Sequence, residues 1–283
     1  MTIEEKFKLL ITEVEKASEA ARAYFESTDF SNEQKSDGSV VTEIDKKVEL
    51  VIRTFVSKYF PDDSIIGEEE ADIIGTSNFV WHIDPIDGTD NFLRKIPFCA
   101  ISIARLGDTA EDSFAIVHNP ITNLTFSSLM DDGAYENEHL TNLTAEPLGG
   151  RFTITIGRGK SESWMVPAGH ALVAACANEF GKCCAYGSTA LELAYVSAGR
   201  IDAFLTYGLN SYDYAAGLYL VKAAGGTISV FEDGEWHEWT DSLKELCKEH
   251  GKIILVSHPD VHARVRDFIG DPKGWATAVE KSL

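Results

Sequence analysis

The segment WHIDPIDGTDNF, residues 81–92, places three aspartates close together: Asp84, Asp87 and Asp90. The apolar run before Asp84 predicts a buried strand, and the Asp-Gly pair at Asp87 is a turn sequence that leads into a predicted helix. N–H groups at a helix start suit a phosphate oxygen, but neighbouring carboxylates repel phosphate unless cations bridge the two. The segment is therefore either an acidic surface turn with helix caps or a site for hard cations.

The composition is that of a globular protein with a strongly acidic surface. Of 283 residues, 44% are hydrophobic and 25% are charged, and the formal net charge is −20. The length suits one large domain or two smaller ones that share a core. Because the charge repels nucleic-acid backbones, we predict no nucleic-acid partner. A small phosphorylated substrate fits only if metal cations mask the local carboxylates.

The cysteines and the hydrophobic runs predict a cytoplasmic protein. Five cysteines without a Cys-x-x-Cys spacing fit reduced thiols better than a disulfide framework. The start, MTIEEKFKLL, is too acidic for a signal peptide, and no segment has the apolar length of a membrane-spanning helix. We therefore predict no membrane association.

The first half of the chain predicts helices packed on a largely antiparallel sheet. A capping box of Thr2 and Glu5 opens an amphipathic helix to about Phe25, and a second helix follows Thr42 and stops at Pro61. The predicted strands are SIIG (64–67), FVWHID (79–84), FCAISIARL (98–106) and SFAIVH (113–118).

The second half alternates strands with helices, which predicts an α/β layer. The predicted strands span 152–156, 202–207, 226–231 and 252–256, and the predicted helices span 168–180, 188–199, 213–224 and 259–269. We place the boundary between the halves in the segment EPLGGR. This gives an N-terminal α+β subdomain, residues 1–148, and a C-terminal α/β subdomain, residues 149–283.

Three further carboxylates each have an ordinary structural explanation. Glu68 begins an acidic run after an apolar strand, which by itself is typical of a solvated surface. Asp45 fits a capping box, and Asp213 fits a first-turn aspartate that the helix dipole favours. Singly, each of these explanations is the better one, but together with residues 81–92 their order along the chain points to one family.

In that order, the sequence resembles the inositol monophosphatase family of metal-dependent phosphomonoesterases. The matching segments are Lys35, VVTEID (40–45), IIGEE (65–69), WHIDPIDGTDNF (81–92), GSTALELAYVSAGRIDAF (187–204), YDYAAG (212–217) and AAGG (223–226). The resemblance implies a layered αβαβα sandwich of the sugar-phosphatase type, with an α+β half and an α/β half. It also implies a homodimer and inhibition by Li⁺.

The spacing of the motif excludes a second class of phosphatase. Haloacid-dehalogenase phosphatases carry an Asp-x-Asp-Gly-Thr string near the N-terminus. Here Pro85 and Ile86 separate the aspartates, and the motif lies well inside the chain. In a regular strand, one extra residue turns the second side chain to the other face.

The resemblance implies a ligand set for two to three Mg²⁺ ions, with Mn²⁺ as an alternative. Glu68, Asp84 and the Ile86 carbonyl would bind the first ion, and Asp84, Asp87 and Asp213 the second. A third, weaker ion is expected near Glu68. Hard oxygen ligands of this kind select these metals rather than zinc.

The resemblance also implies the catalytic roles. Glu68 and Thr89 would position the attacking water and help to deprotonate it, and Asp45 would hydrogen-bond the Thr89 hydroxyl. The backbone N–H groups of Gly88 and Thr89 would bind the phosphate. Lys35, in a polar loop, either approaches the site or is an ordinary solvated lysine.

The segments that would face the substrate depart from the family pattern. Inositol-preferring members carry a glutamate seven residues before the last metal-binding aspartate, where this chain has Thr206. Asp90, Gly187, Ser188 and Thr206 are the candidate substrate contacts, with the first expected to accept a sugar hydroxyl. Selectivity for inositol is left open by the uncharged threonine.

The predicted activity is therefore Mg²⁺-dependent hydrolysis of a small phosphorylated polyol, by in-line attack of a metal-activated water. Inositol-1-phosphate ranks first, because the net charge of −20 disfavours a second anionic group. Histidinol phosphate, 3′-phosphoadenosine phosphate and fructose-1,6-bisphosphate are alternatives within the same chemistry. A Mg²⁺-binding regulatory or scaffold protein is the alternative from a different class.

Overall fold

The computed structural model describes residues 1–27, 33–34, 40–41, 43–141, 143, 150–159, 165–249 and 251–275. Lys35, Thr42 and the predicted boundary at 148/149 lie outside these ranges. Within the described ranges, every helix is too short or too polar to cross a lipid bilayer.

The helices and strands follow the predicted order closely. The helices are α1 (Ile3–Glu26), α2 (Glu43–Tyr59), α3 (Thr89–Leu93), α4 (Met165–Phe180), α5 (Thr189–Ser197), α6 (Ser211–Ala223), α7 (Leu243–Leu246) and α8 (Pro259–Ile269). The strands are β1 (Glu33–Gln34), β2 (Val40–Val41), β3 (Ser64–Gly67), β4 (Val80–Asp87), β5 (Ala100–Leu106), β6 (Phe114–Asn119), β7 (Leu124–Leu129), β8 (Tyr135–Glu136), β9 (His139–Leu140), β10 (Phe152–Arg158), β11 (Gly181–Cys184), β12 (Ala203–Tyr207), β13 (Thr227–Glu232), β14 (Glu235–Glu238) and β15 (Ile253–Ser257).

The first half forms a seven-stranded sheet in the order β3-β4-β5-β6-β7-β8-β9. β3 and β4 are parallel and the other neighbouring pairs are antiparallel, which confirms the prediction. Thr2 and Glu5 form the predicted capping box at the start of α1. Apolar side chains of α1 and α2, such as Leu10 and Ile52, pack on Ile83 and its neighbours and cover one face of this sheet.

The second half forms a six-stranded sheet in the order β11-β10-β12-β15-β13-β14. β10 runs parallel to both β11 and β12, so the C-terminal ends of these strands meet at one edge. β11 leads into α5 and β12 leads into α6. The N-termini of these two helices therefore lie at the same edge of the sheet.

Five layers stack in the order helices, sheet, helices, sheet, helices. α5 and α6 are the central layer, where Leu191 and Leu220 pack with Phe126 of the first sheet and Phe204 of the second. α4 and α8 cover the outer face of the second sheet through a separate apolar cluster. This arrangement confirms the predicted αβαβα sandwich.

The structure corrects the sequence interpretation at several strands. β4 continues to Asp87 rather than ending at Asp84. The segments of β7, β8, β9 and β11 were not predicted as strands; they are two to six residues long, and LTFSSL and GKCC hold few β-branched residues. Pairing with neighbouring strands outweighs propensity in such segments.

Candidate active site

Elements from the two halves bring three carboxylates together. Asp84 and Asp87 lie at the end of β4, and Asp213 lies in the first turn of α6. One carboxylate oxygen of each lies within 4.8 Å of the others. Residues 84 and 87 of a regular strand would point to opposite faces. The register with β5 shifts between them, and this bulge lets both side chains reach one site.

The start of α5, in the other half, fixes the Asp87 carboxylate. Asp87 Oδ2 accepts hydrogen bonds from Ser188 Oγ at 2.5 Å and from the Ala190 backbone N–H at 2.7 Å. Asp87 thus caps α5 from outside the helix, where the dipole stabilises a negative charge. A second link between the halves joins His82 Nδ1 to Ser211 Oγ at 2.9 Å.

Backbone N–H groups orient the other two aspartates. Asp213 accepts the Asn210 N–H at 2.7 Å and forms a capping box with that residue at the start of α6. Asp84 Oδ1 accepts the Ile86 N–H at 3.0 Å. Each carboxylate of the cluster is therefore held by a hydrogen bond to a backbone group of its own or a neighbouring element.

Glu68 reaches the cluster from the loop after β3. Its backbone N–H donates to the Ile83 carbonyl at 3.1 Å, which continues the pairing of β3 with β4 beyond the strand end. Its carboxyl group hydrogen-bonds Asp84. The structure therefore joins all four of the predicted carboxylate ligands into one acidic site.

Burial and mutual repulsion raise the pKa values in this site. Burial, followed by the charge of Glu68, holds the pKa of Asp84 well above its ordinary value. Burial raises the pKa of Asp87 to about 7, although the hydrogen bonds from α5 favour its charged form. Burial and then the charge of Asp213 also raise the pKa of the Tyr212 phenol. Crowded buried carboxylates with hard oxygen atoms are a donor set that fits Mg²⁺.

The turn after β4 packs closely against the loop before α5. Gly88 has a φ of +86°, and a Cβ at this position would lie 2.9 Å from the Gly187 carbonyl oxygen. A residue with a side chain would be strained there and would also push the two loops apart. Thr89 Oγ1 donates to the Ile86 carbonyl at 3.0 Å. The predicted carbonyl ligand and the predicted catalytic hydroxyl therefore share one tight turn.

A family model described as "Inositol monophosphatase family" matches residues 3–266. The chain belongs to the inositol monophosphatase family. Nus factor SuhB of Escherichia coli strain K12 is 36% identical over 230 residues, which cover 80% of this chain and 85% of that protein. The inositol-1-monophosphatase of Rhizobium meliloti is 34% identical over 220 residues, 76% of this chain and 80% of its own. The solved structure of a Thermotoga maritima IMPase covers 96% of this chain and 99% of its own, with 27% identity and a TM-score of 0.77.

The candidate substrate residues of this family member differ in their exposure to solvent and in their hydrogen bonds. Asp90 and Gly187 are exposed. Ser188 is buried and gives its hydroxyl hydrogen to Asp87. Thr206 lies in β12 with 1% of its surface exposed, and its hydroxyl has no hydrogen-bond partner in the described part of the chain. Contacts of these residues with a substrate stay predictions.

Asp45 lies buried in the first turn of α2. After burial, the charges of Asp87 and Asp45 contribute to raising the pKa of the Cys99 thiol to about 12. The charges of both carboxylates therefore act on this thiol. The pairing of Asp45 with the Thr89 hydroxyl stays a prediction, since that hydroxyl donates to the Ile86 carbonyl here.

Sequence reasoning missed two residues that hold the loop before α5. Glu192 is 1% exposed and accepts the N–H groups of Tyr186 at 2.5 Å and Gly187 at 3.3 Å, and burial raises its pKa to about 8. Asn91 Nδ2 donates to the carbonyls of Phe98 at 2.8 Å and Tyr186 at 2.7 Å. A glutamate inside the otherwise apolar run TALELAYVS was the signal for the first of them.

Proposed function

We propose that the protein is a Mg²⁺-dependent phosphomonoesterase that acts on a small phosphorylated polyol, with inositol-1-phosphate as the first candidate. The observation that carries this proposal is the approach of Asp84, Asp87 and Asp213 to within 4.8 Å of one another. Membership of the inositol monophosphatase family and 34% identity to the inositol-1-monophosphatase of Rhizobium meliloti support it.

The residues present fit two Mg²⁺ ions and a third, weaker one. Glu68, Asp84 and the Ile86 carbonyl would hold one ion, and Asp84, Asp87 and Asp213 a second. When bound, such ions offset the charge of a phosphate and lower the pKa of a coordinated water for in-line attack. Mn²⁺ has the same preference for oxygen ligands and would substitute.

The chain's own groups would bind the phosphate and orient the water. The backbone N–H groups of Gly88 and Thr89 would bind the phosphate oxygens, because they open α3 beside the carboxylates. Glu68 and Thr89 would orient the attacking water, and Asp45 would accept the Thr89 hydroxyl hydrogen during the reaction. Asp90 is exposed next to this turn and would accept a substrate hydroxyl.

Other substrates with the same bond remain candidates. Histidinol phosphate, 3′-phosphoadenosine phosphate and fructose-1,6-bisphosphate each carry a phosphomonoester that this site could accept. The net charge of −20 ranks substrates with one phosphate above those with two. Inhibition by Li⁺ and a homodimeric state are further expectations for a member of this family.

A second candidate function is a Mg²⁺-binding regulatory or scaffold protein without turnover. The observation that favours it is the 36% identity to proteins named Nus factor SuhB, a name that denotes a factor rather than an enzyme. A protein that only binds metal has no need for a catalytic hydroxyl at Thr89 or for the roles predicted for Glu68 and Asp45. Their joint presence favours the phosphatase.

The test is a phosphate-release assay with Mg²⁺ over the four named substrates, paired with metal titration. We expect one or more substrates to turn over and Asp84→Asn to abolish both turnover and Mg²⁺ binding, because the residue is shared by two predicted ion sites. Asp90→Asn is the control and should keep Mg²⁺ binding. Mg²⁺ binding without phosphate release from any substrate would favour the regulatory function, and full activity of Asp84→Asn would overturn the metal assignment.

A further inference from the structure

A buried ion pair lies behind the loop that carries Glu68, and the proposed chemistry does not use it. Glu49 and Arg53 lie one turn apart on α2, with 2.7 Å between Glu49 Oε1 and Arg53 Nε. Their side chains are 0% and 10% exposed. Desolvation offsets the attraction in such a pair unless further hydrogen bonds satisfy both groups. The partners that supply these bonds therefore indicate what the pair is for.

All of these further bonds go to the acidic loop after β3. The Glu49 carboxylate accepts the backbone N–H groups of Glu69 at 2.9 Å and Glu70 at 3.2 Å. The Arg53 guanidinium donates to the backbone carbonyls of Glu70 at 2.9 Å and Ala71 at 3.1 Å. One carboxylate and one guanidinium thus bind donors and acceptors of the same short stretch of backbone.

The backbone on both sides of Glu68 is tightly packed. A Cβ on Gly67 would lie 2.5 Å from Glu49 Oε1 and 2.6 Å from Arg53 Nη2, so the pair packs directly against the backbone before Glu68. On the other side, the Glu68 N–H donates to the Ile83 carbonyl at 3.1 Å. The residue that carries the carboxylate is therefore fixed between β4 and the α2 pair.

We propose that Glu49 and Arg53 are positioning residues, which hold the Glu68 carboxylate against Asp84 in the geometry that metal binding needs. Groups that orient metal ligands from behind contribute to affinity because the ligands need not be ordered on binding. This inference rests on the metal site of the proposed function. It does not require that the protein turns over a substrate.

A matched control pair lies at the other end of the first sheet. Arg105 Nε lies 2.7 Å from Asp63 Oδ2, and these side chains are 6% and 5% exposed. Asp63 precedes β3, whereas Glu68 follows it, and Arg105 pairs with Trp81 near the start of β4. The control pair therefore has the same chemistry and burial at the opposite end of the strands, away from the metal site.

The test compares Arg53→Lys and Glu49→Gln with Arg105→Lys in the full chain. Isothermal titration with Mg²⁺ gives the dissociation constant, and thermal unfolding in EDTA gives the Tm. We expect the two α2 variants to bind Mg²⁺ roughly tenfold more weakly. Arg105→Lys should lower the Tm about as much as Arg53→Lys does. It should keep the Mg²⁺ dissociation constant within about twofold of the wild type.

Two results would overturn the inference: wild-type Mg²⁺ affinity in both α2 variants, or an equal loss of affinity in Arg105→Lys. Glu49→Gln keeps the shape and one acceptor of the side chain, so it provides a folded variant if the arginine change unfolds the protein. The readout is metal affinity rather than turnover. A wild-type protein that binds Mg²⁺ but releases no phosphate would contradict the phosphatase proposal and leave this test intact.

Discussion

Ser188 Oγ lies 2.5 Å from Asp87 Oδ2, and this hydrogen bond joins the two halves of the chain at the predicted metal site. The ligand belongs to β4 of the first sheet, and its donor opens α5 in the central helical layer. The orientation of Asp87 therefore depends on how the second half docks on the first. Binding of metal and packing of the halves should be coupled.

Ser188→Ala tests this coupling. The change removes the hydroxyl donor and leaves the Ala190 N–H as a donor to Asp87. We expect Mg²⁺ affinity in isothermal titration to fall about tenfold, because the carboxylate is held less firmly. Ser197→Ala is the control, since the Ser197 hydroxyl is also buried but donates to the Ala194 carbonyl at the far end of α5. Equal affinity losses in the two variants would contradict the role given to Ser188.

Gly88→Ala should be far more damaging than its conformation alone implies. An alanine at a φ of +86° carries a strain of about 1 kcal/mol. Its Cβ would also lie 2.9 Å from the Gly187 carbonyl and 3.1 Å from the Phe98 carbonyl. We expect a loss of phosphate release and a drop of at least about 2 kcal/mol in the free energy of unfolding, measured in urea.

Gly234→Ala provides the matched control for that change. Gly234 has a φ of +87° in the hairpin between β13 and β14, and a Cβ there would meet nothing within 4 Å. It should lose only the conformational strain, about 1 kcal/mol, and keep its activity. If both alanine variants lose the same stability and activity, the contact between the two glycine turns is not important.

Glu192 should make the free energy of unfolding of the metal-free protein fall as the pH rises. Burial raises its pKa from 4.5 to about 8, so between these values the folded state keeps a proton that the unfolded state has released. Stability from this group is complete below the unfolded pKa and is lost as the pH rises through the folded pKa. In that window the free energy of unfolding should fall by about 1.4 kcal/mol per pH unit from this group.

Glu192→Gln removes this titration and should flatten the decline. Urea unfolding in EDTA, from about pH 5 to about pH 8, measures the slope for both proteins. Asp87 titrates in the wild type and in the variant, so the difference between the two curves reports Glu192. Parallel curves would mean that Glu192 is charged in the folded protein at neutral pH.

The helices, the main strands and the layered architecture could be predicted because their signals are local. The capping box of Thr2 and Glu5 and the alternation of strands and helices in the second half need no knowledge of distant contacts. The shared site of Asp84 and Asp87 is different. A period of two places these residues on opposite faces, and only the shifted pairing of β4 with β5 brings them to one site.

The roles of residues that orient other side chains could not be predicted from local sequence either. Asp45, Glu49 and Arg53 recur every four residues, so the sequence indicates that they share one stripe of α2. Whether that stripe faces water or another segment depends on tertiary packing. The resemblance makes Ser188 a candidate substrate contact, and nothing in the local sequence indicates that its hydroxyl also donates to a carboxylate over a hundred residues away.

Thr206→Val tests the candidate substrate residue that lies deepest in the structure. The Thr206 hydroxyl is buried in β12 and has no hydrogen-bond partner among the described residues. Replacing an unpartnered buried hydroxyl with a methyl group of the same shape is close to neutral or stabilising. We therefore expect the Tm to hold or rise and the KM for inositol-1-phosphate to stay within about twofold of the wild type.

Thr155→Val is the control for that change, because the Thr155 hydroxyl is also buried and unpartnered among the described residues, on the neighbouring strand β10. The two variants should show the same changes in Tm and KM if neither hydroxyl contacts the substrate. A rise in KM for Thr206→Val that Thr155→Val does not share would instead place the Thr206 hydroxyl against the substrate. Specificity for the polyol would then be determined in part near the end of β12.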